Sequence, residues 1–287
     1  MPHVAYVNGR YLPHAHAMVH IEDRGYQFSD GVYEYIAFYN RRLLDAELHF
    51  LRFNRSLREI EIASPVAPAA LPIIIRELIA RNGRDNGGLY IQVTRGVARR
   101  DHPFPKHTKS SLVMTVCAAK LPKEHEVKNG VKVITAPDLR WARRDIKSIS
   151  LLANILAKQQ ASKHQAREAW LIEDNGTVGE GAASNAYIVS NGEVITHPTG
   201  HEILGGITRD VLLKLAKKAG IPVAERPFSA MEMKKATEAF LTSTSANVLP
   251  VVKIDDMTVG GGKPGPVTHK LQELYSAHVL RQTGKIL

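Results

Sequence analysis

Three of the six Asn-Gly pairs in this chain constrain its fold more than any other feature of the sequence. They are Asn8-Gly9, Asn175-Gly176 and Asn191-Gly192, and each follows a short run rich in apolar, β-branched or aromatic residues. Asn and Gly accommodate the positive φ angles that a tight hairpin turn requires. We therefore predict antiparallel strand pairs at three places, one at the start of the chain and two in its second half.

The other strand and helix patterns are mixed along the chain without a regular βαβ alternation, which favours an α+β fold. Apolar and aromatic runs predict strands at residues 31–39, 89–94, 112–118, 131–136, 168–172, 238–242 and 248–254. Apolar periodicity with cap and stop signals predicts helices at 45–62 (Asp45 as N-cap), 71–81, 151–164, 209–219 and from Pro266 onward. A polar stretch at 121–130 is typical of a linker, so we predict an N-terminal α/β domain at 1–120 and a C-terminal domain at 131–287.

Composition narrows the class of protein. Apolar residues make up 44% of the chain and charged residues 23%, an ordinary balance for a soluble protein, and no apolar run is long enough for a membrane helix. The single Cys117 excludes an intrachain disulfide, and the start of the chain lacks the pattern of a secretory signal. We expect a cytoplasmic protein that does not bind a membrane.

The formal charge of +10 raises the question of a nucleic-acid partner. The basic residues are spread along the chain, and the densest group, at 95–109, has the Pro and Gly content of an irregular loop. No zinc-finger spacing, RNA-recognition motif or basic heptad stretch is present. Small anionic ligands explain the local arginine clusters, and we expect neither nucleic-acid binding nor a metal site.

Lys147 is the candidate for chemistry. It lies on the connection between the predicted strand 131–136 and the predicted helix 151–164, where functional groups are commonly displayed. Arg143 and Arg144 lie within four residues, and like charge disfavours a protonated amine, which favours a nucleophile. A surface lysine in a basic loop is the alternative interpretation of this segment taken alone.

Three further stretches could bind an anionic, flat ligand. Glu180 stands among glycines and small residues, which leave room for a ring, although an exposed turn is the alternative. Gly205-Gly206-Ile207-Thr208 opens a predicted helix, and unpaired N–H groups at a helix start bind phosphate, although the two glycines are also common in a simple turn. The hydroxyl-rich run 242–247 could donate to the same phosphate or merely cap a loop, and Arg52 would supply positive charge.

A nucleophilic lysine, a carboxylate and a phosphate site together suggest pyridoxal phosphate. In such a site the lysine forms a Schiff base, the carboxylate keeps the pyridine nitrogen protonated, and the substrate Cα becomes acidic enough to lose a proton to the lysine.

Five ordered motifs resemble the fold-type IV (class IV) aminotransferases, most closely the bacterial members that act on D-amino acids. The motifs are residues 22–34 (EDRGYQFSDGVYE), 92–96 (QVTRG), 145–148 (DIKS), 180–185 (EG…SN) and 206–210 (GITRD). The resemblance covers nearly the whole chain and implies a two-domain architecture with a smaller N-terminal α/β domain and a larger, β-barrel-like C-terminal domain.

The resemblance also implies roles for individual residues. Lys147 would be the Schiff-base and catalytic residue, Glu180 would pair with the pyridine nitrogen, and Leu204 would line the ring face. The phosphate would be held by Arg52, Gly206, Ile207, Thr208, Ser243 and Thr244. Tyr33, Arg100 and His102 match the residues that distinguish the D-specific members, where they bind the substrate α-carboxylate.

The implied activity is transfer of the amino group from a D-amino acid of the D-alanine, D-glutamate or D-aspartate type to a 2-oxo acid, as in a D-alanine transaminase. A homodimer with shared active sites is implied too, because in the family the loop carrying Arg100 reaches the neighbouring subunit's site. A branched-chain L-amino-acid aminotransferase or an aminodeoxychorismate lyase of the same superfamily is the alternative.

Overall fold

The computed structural model describes residues 3–286, so Met1, Pro2 and Leu287, the outer limits of the two predicted domains, lie outside the described residues. The chain divides into two compact units. The first contains the chain up to Lys120 together with Ile146–Ser150 and Arg281–Lys285, and the second contains Leu121–Asp145 and Leu151–Leu280. The domain boundaries suggested by the sequence remain a prediction.

The first unit is built on a six-stranded antiparallel sheet with three helices. In chain order its elements are β1 (Val4–Val7), β2 (Arg10–Pro13), α1 (Arg24–Phe28), β3 (Gly31–Tyr39), β4 (Arg42–Leu43), α2 (Ala46–Glu59), α3 (Ala70–Arg81), β5 (Gly87–Thr94) and β6 (Ser111–Cys117). The strand order is β2-β1-β6-β5-β3-β4. β3 and β5 pair along eight residues, from Gly31 opposite Thr94 to Phe38 opposite Gly87.

The core of the first unit contains large apolar side chains of the central strands and of helices α2 and α3. Ile36, Leu89 and Met114 on the strands are fully buried, as is Leu78 on α3. Burial of each such side chain stabilises the fold by roughly 2 kcal/mol, so the sheet is a rigid support for the residues at its edges and ends.

Helix α2 begins as predicted and ends earlier than predicted. Asp45 is its N-cap residue, with a φ of 51°, but its side chain makes no capping hydrogen bond and instead accepts one from Gln282 at 2.8 Å. The helix ends at Glu59, three residues earlier than predicted. There Glu61 adopts a positive φ, and the N–H of Ile62 donates to the carbonyl of Leu57, a Schellman closure without glycine.

The second unit contains a ten-stranded mixed sheet. Its elements are α4 (Glu124–Asn129), β7 (Val131–Pro137), α5 (Leu152–Lys163), β8 (Glu168–Ile172), β9 (Thr177–Gly181), β10 (Asn185–Ser190), β11 (Glu193–Thr196), α6 (Ile207–Lys218), β12 (Val223–Glu225), β13 (Phe228–Ser229), α7 (Ala230–Lys235), β14 (Glu238–Ser243), β15 (Asn247–Ile254), β16 (Met257–Thr258) and α8 (Pro266–Thr283), whose last turn belongs to the first unit. The strand order is β12-β11-β10-β14-β15-β7-β8-β9-β13, and β16 pairs with β15. Parallel pairs occur at β15–β7, β7–β8 and β11–β12, and the other pairs are antiparallel, which confirms the α+β fold class.

All three predicted Asn-Gly hairpins are confirmed. Asn8 and Asn191 have φ angles of 46° and 51°, and the glycine after each is also positive, as a two-residue hairpin turn requires. Asn175-Gly176 lies in a longer turn that is closed by the N–H of Glu173 bonding to the carbonyl of Thr177. Asparagine and glycine tolerate these angles, so the local sequence alone was enough to locate the turns.

Two predictions for the second unit need correction. Helix α6 begins at Ile207, two residues before its predicted start, because Gly206 is already the N-cap. The alternative of an exposed turn for Glu180 is wrong, since Glu180 lies on β9 with only 3% of its surface exposed. Within residues 3–286 no helix combines the length and the apolar character needed to cross a membrane.

Candidate active site

Lys147 is held by backbone pairing beside the first residues of β3. The N–H of Tyr33 donates to the carbonyl of Lys147 at 3.0 Å, and Ser148 forms an isolated bridge with Val32. The N–H of Lys147 donates in turn to Ser56 Oγ on α2 at 3.2 Å. The lysine therefore has a defined backbone position even though it lies outside regular secondary structure.

The amine of Lys147 lies over the ring of Tyr33. Its Nζ is 3.3 Å from Tyr33 Oη and 4.4 Å from the ring centroid, and the side chain is half-buried. The phenol is thus within hydrogen-bond reach of the amine and can orient it. Tyr33 also packs against Tyr90, with ring centroids 5.6 Å apart.

The two arginines that precede Lys147 in sequence are paired with carboxylates. Arg143 bonds to Asp145 with N···O distances of 2.9 and 3.0 Å. Arg144 bonds to Glu173 at 2.5 Å. The local excess of positive charge expected from the sequence is therefore offset by acidic partners.

Arg52 belongs to a buried charged cluster in the first unit. Its Nε and Nη2 donate to the two carboxylate oxygens of Glu34 at 2.7 and 2.9 Å, and His49 Nδ1 lies 2.8 Å from Glu34 Oε2. Glu34 is on the buried face of β3, while His49 and Arg52 are one turn apart on α2. This arrangement fixes the guanidinium of Arg52 in one orientation.

The charge states in this cluster follow from its geometry. Burial alone would raise the pKa of Glu34, but the charge and hydrogen bonds of Arg52, followed by those of His49, outweigh burial and lower that pKa to about 2. Burial lowers the pKa of His49 in spite of its bond to Glu34. Near neutral pH the cluster therefore contains an ionised Glu34, a charged Arg52 and a neutral His49 whose Nδ1–H donates to the carboxylate.

Arg100 and His102 lie on the exposed loop between β5 and β6, and both lie near Phe28 of α1. The guanidinium carbon of Arg100 is 5.1 Å from the Phe28 ring centroid, and the His102 and Phe28 ring centroids are 5.6 Å apart. The structure thus places these two predicted carboxylate-binding residues together, whereas Tyr33 lies with Lys147.

Glu180 is the centre of a polar network in the second unit. Its Oε1 accepts from Arg140 Nη1 at 2.6 Å and from the N–H of Leu204 at 3.0 Å, and its Oε2 accepts from Asn185 Nδ2 at 3.1 Å. Arg140 also binds Asp138. Complete burial raises the pKa of Glu180, against the charge and hydrogen bond of Arg140, which act to lower it.

Asn185 connects Glu180 with the predicted phosphate residues. Its Nδ2 also donates to the carbonyl of Leu204 at 2.9 Å, and its backbone pairs with Thr242 across β10 and β14. A Cβ atom on Gly206 would overlap Asn185 Oδ1, so only glycine fits there. The side chain of Asn185 consequently joins Glu180 to the segment before α6, and its backbone joins both to β14.

The predicted phosphate-binding residues of the second unit lie at the start of helix α6 and at the end of strand β14. Gly206 is the N-cap of the twelve-residue helix α6, whose first turn contains Ile207 and Thr208, both buried. Ser243 ends β14, and its Oγ accepts from the N–H of Ala246 at 3.0 Å, so it caps its own turn. Thr244 is in the same turn.

These features suit a cofactor with a basic ring nitrogen and a phosphate. An ionised carboxylate oxygen accepts about two hydrogen bonds, so Glu180 Oε2, with Asn185 as donor, has capacity for a ring N–H. The first N–H groups of an α-helix have no partner within the helix. At the start of α6 these groups and the positive end of the helix dipole favour binding of an anion. The missing Cβ of Gly206 keeps this surface close to Asn185. Within residues 3–286 no group of three or more His, Cys, Asp or Glu side chains is arranged to hold a metal ion.

Sequence reasoning assigned no role to several residues that make these contacts, namely Phe28, Glu34, His49, Arg140 and Asn185. A signal existed for Glu34, because it is a charged residue on the buried face of an otherwise apolar strand. Arg140 gave no such signal, since it lies on a connection and reaches Glu180 forty residues away in sequence.

Comparison with known proteins extends over nearly the whole chain. A family model described as amino-transferase class IV matches residues 31–254. A D-alanine aminotransferase of Staphylococcus haemolyticus is 43% identical over 275 residues, which cover 96% of this chain and 97% of that protein. A D-alanine aminotransferase of Bacillus licheniformis is 43% identical over 281 residues, covering 97% and 98%. The crystal structure of a branched-chain amino acid aminotransferase of Escherichia coli superposes with a TM-score of 0.91 at 23% identity, covering 100% of this chain and 97% of that one, a likeness in fold.

Proposed function

The chain belongs to the class IV aminotransferases, and we propose that it transfers the amino group of a D-amino acid to a 2-oxo acid with pyridoxal 5'-phosphate as cofactor. The observation that carries this proposal is 43% identity with D-alanine aminotransferases over 96% of the chain. D-Alanine, D-glutamate and D-aspartate are the candidate amino donors. The substrates are small molecules.

Pyridoxal phosphate supplies an aldehyde that takes up the substrate amino group and a ring that withdraws electrons from the substrate Cα. We assign the covalent attachment of the cofactor and the transfer of the Cα proton to Lys147 Nζ. The Tyr33 hydroxyl, 3.3 Å from that nitrogen, orients the amine. Glu180 Oε2 would accept a hydrogen bond from the ring nitrogen, and the ionised form of Glu180 would favour the protonated ring.

The phosphate would be bound by residues of α6, of the turn after β14 and of α2. They are Gly206, Ile207, Thr208, Ser243, Thr244 and Arg52. Backbone N–H groups and the Thr208 hydroxyl donate hydrogen bonds, and Arg52, held by Glu34, supplies the full positive charge. Leu204 would line the face of the ring, and its backbone is held next to Glu180 by hydrogen bonds to Glu180 and from Asn185.

The α-carboxylate of the substrate would be bound by Tyr33, Arg100 and His102. A guanidinium, an imidazole and a phenol supply donors for both carboxylate oxygens. Fixing the carboxylate on one side decides which enantiomer directs its Cα–H toward Lys147. Such a site rejects the opposite enantiomer because binding of its carboxylate leaves the Cα–H turned away from the base.

We also propose a homodimer with shared active sites. Met18, Val19 and Ile21 expose 75%, 50% and 76% of their surface within four residues, and contiguous exposed apolar residues are typical of interaction surfaces. Residence in the cytoplasm stays a prediction from the sequence.

The decisive experiment is a spectrophotometric titration of the purified holoenzyme with D-alanine and with L-alanine. The visible absorption of the cofactor should be lost about a hundredfold faster with the D enantiomer. Lys147→Ala should lower kcat by roughly ten-thousand-fold, whereas Lys270→Ala, at an exposed lysine of α8, should leave it unchanged.

Equal rates with both enantiomers would contradict the D-specific assignment while leaving the class of reaction intact. The likeness in fold to branched-chain enzymes makes a preference for L-amino acids the alternative assignment. The Arg100→Ala variant distinguishes the D-specific assignment from this alternative. This variant should raise KM for D-alanine if Arg100 binds the carboxylate, and should leave KM unchanged if it does not.

A further inference from the structure

We propose that Arg24, together with Phe28 and Asp30, is a positioning group for the substrate carboxylate, because it fixes the loop that carries Arg100 and His102. This inference rests on the proposed function, in which those two residues bind the carboxylate. We call Arg24, Phe28 and Asp30 the α1 clamp. Its parts are all in the first unit.

The start of α1 is fixed where the loop leaves β5. Asp23 caps the helix by accepting from the N–H of Gly25 at 2.8 Å, and it also accepts from the hydroxyl of Thr94 at 2.9 Å. The N–H of Arg24 donates to the carbonyl of Gly96 at 2.9 Å. Any side chain on α1 therefore has a defined position relative to the first residues of the loop.

The guanidinium of Arg24 binds the loop at two consecutive carbonyls. Nη1 donates to the carbonyl of Asp101 at 2.5 Å, and Nη2 donates to the carbonyl of His102 at 3.2 Å. Arg24 is 3% exposed, whereas Asp101 and His102 are exposed. A buried cation thus binds backbone groups of a surface loop. The first contact fixes the carbonyl of Asp101, which lies between the two proposed carboxylate-binding residues, and the second fixes the carbonyl of His102.

Phe28 holds the side chains on this loop. Its ring lies 4.8 Å from the guanidinium carbon of Arg24 and 5.1 Å from that of Arg100, and its centroid is 5.6 Å from that of His102. Cation–π attraction favours both arginine positions. The backbone of the loop and the two side chains that matter for substrate binding are therefore held by the same short helix.

Asp30 joins the clamp to a second contact with the loop. It accepts from Arg24 Nε at 2.8 Å and from Arg95 at 2.7 and 3.0 Å. The guanidinium carbon of Arg95 lies 3.5 Å from the ring centroid of Phe104. Two buried arginines that share one carboxylate thus contact the loop at residues 101–102 and at 104.

The clamp predicts a defined kinetic signature. An exposed loop without it would sample many conformations, and the substrate would have to order the loop on binding. The Lys147 amine is held by other contacts, to Tyr33 and through the backbone to Ser56. Loss of the clamp should therefore weaken carboxylate binding while leaving the chemical step intact.

The test is steady-state kinetics of Arg24→Lys holoenzyme with D-alanine at saturating 2-oxoglutarate. Lysine retains the charge beside Asp30 but cannot bridge two carbonyls. We expect KM for D-alanine to rise about tenfold, which corresponds to the loss of roughly one charge-assisted hydrogen bond. The value of kcat should stay within about threefold of wild type, and the visible absorption of the bound cofactor should not change. Arg41→Lys, at an exposed arginine of the same unit that bonds only at the surface to Asp85, should change neither constant.

A second variant tests the same inference should Arg24→Lys fold poorly. Phe28→Leu retains an apolar side chain without a π face, and KM should rise about threefold. In addition, Arg24→Lys should raise KM by less in the Arg100→Ala background than in the wild type, because the clamp then acts through His102 alone.

The possible failures are distinguishable. If Arg100→Ala raises KM but neither Arg24→Lys nor Phe28→Leu does, the clamp is overturned and the proposed function stands. If Arg100→Ala itself leaves KM unchanged, the carboxylate assignment fails, and the clamp fails with it. A fall in kcat at constant KM in Arg24→Lys would likewise overturn the clamp.

Discussion

The buried carboxylate of Glu34 is held by two defined partners, Arg52 and His49. Glu34 has a fully buried side chain, and it is stable there because Arg52 and His49 satisfy both of its oxygens. Removing one partner of such a group leaves an uncompensated charge, which is costly in a low-dielectric interior. The same cluster orients Arg52, so the proposed role of Arg52 in phosphate binding couples cofactor affinity to the stability of this cluster.

We expect Glu34→Gln to lower the free energy of unfolding at neutral pH by on the order of 3 kcal/mol. This is the stabilisation that corresponds to the shift of the Glu34 pKa from 4.5 to about 2 on folding. The dissociation constant for pyridoxal phosphate should also rise, because Arg52 loses its carboxylate. Urea unfolding and cofactor titration measure the two effects.

The pH dependence of this contribution has a definite sign. A carboxyl whose pKa is lowered in the folded state stabilises the protein fully above its unfolded pKa of 4.5 and loses that effect as pH falls toward about 2. The difference in stability between wild type and Glu34→Gln should therefore shrink below pH 4.5. Glu77→Gln, which removes an exposed partner of Arg81, should change stability little at any pH, and an equal loss in both variants would contradict the argument.

At the scale of elements, Asn185, the first residue of β10, joins Glu180 of β9, Thr242 of β14 and Leu204, which precedes α6. This explains why Gly206 precedes α6: the helix can start close to the Asn185 amide only if the N-cap has no Cβ. The position of the first helical turn thus depends on one close contact between a glycine and a side chain.

Gly206→Ala should consequently destabilise the second unit by about 2 kcal/mol, the usual cost of overpacking a filled site. It should also weaken cofactor binding, since the first turn of α6 must shift. Thermal unfolding and a cofactor titration provide the measurements.

Gly205→Ala is the matched control. A Cβ there would lie 3.6 Å from Thr199 Cγ2, an ordinary contact, so little loss of stability is expected. If the two alanine variants proved equally stable, the close approach to Asn185 would not be what requires glycine at position 206.

At the scale of the whole molecule, the proposed homodimer predicts complementation between two variants that are each impaired at low D-alanine concentration. In a shared site, Lys147 comes from one subunit and Arg100 from the other. Mixing Lys147→Ala and Arg100→Ala proteins under conditions of subunit exchange, at low D-alanine concentration, should restore about a quarter of wild-type activity, because half of the dimers are mixed and each contains one intact site.

Light scattering of the wild type provides the independent check on mass. A dimer without complementation would show that Arg100 serves the subunit to which it belongs. A monomer with full activity would exclude shared sites altogether.

The sequence by itself determined the features that depend on neighbouring residues. The Asn-Gly turns, the periodic helices and the apolar strands are local, and their positions were predicted to within a few residues because backbone preferences act over a few bonds. The ordered motifs around Lys147, Glu180 and Gly206 were sufficient to indicate the family, which the comparisons confirm.

Only the tertiary structure decided which charges meet. Arg52 and Glu34 are 18 residues apart in sequence, and Arg24 and the carbonyl of Asp101 are 77 apart. No local pattern indicates such partners, because each depends on how strands and helices pack. For the same reason the sequence suggested unbalanced positive charge near Lys147, whereas folding brings Glu173 to Arg144 from 29 residues away.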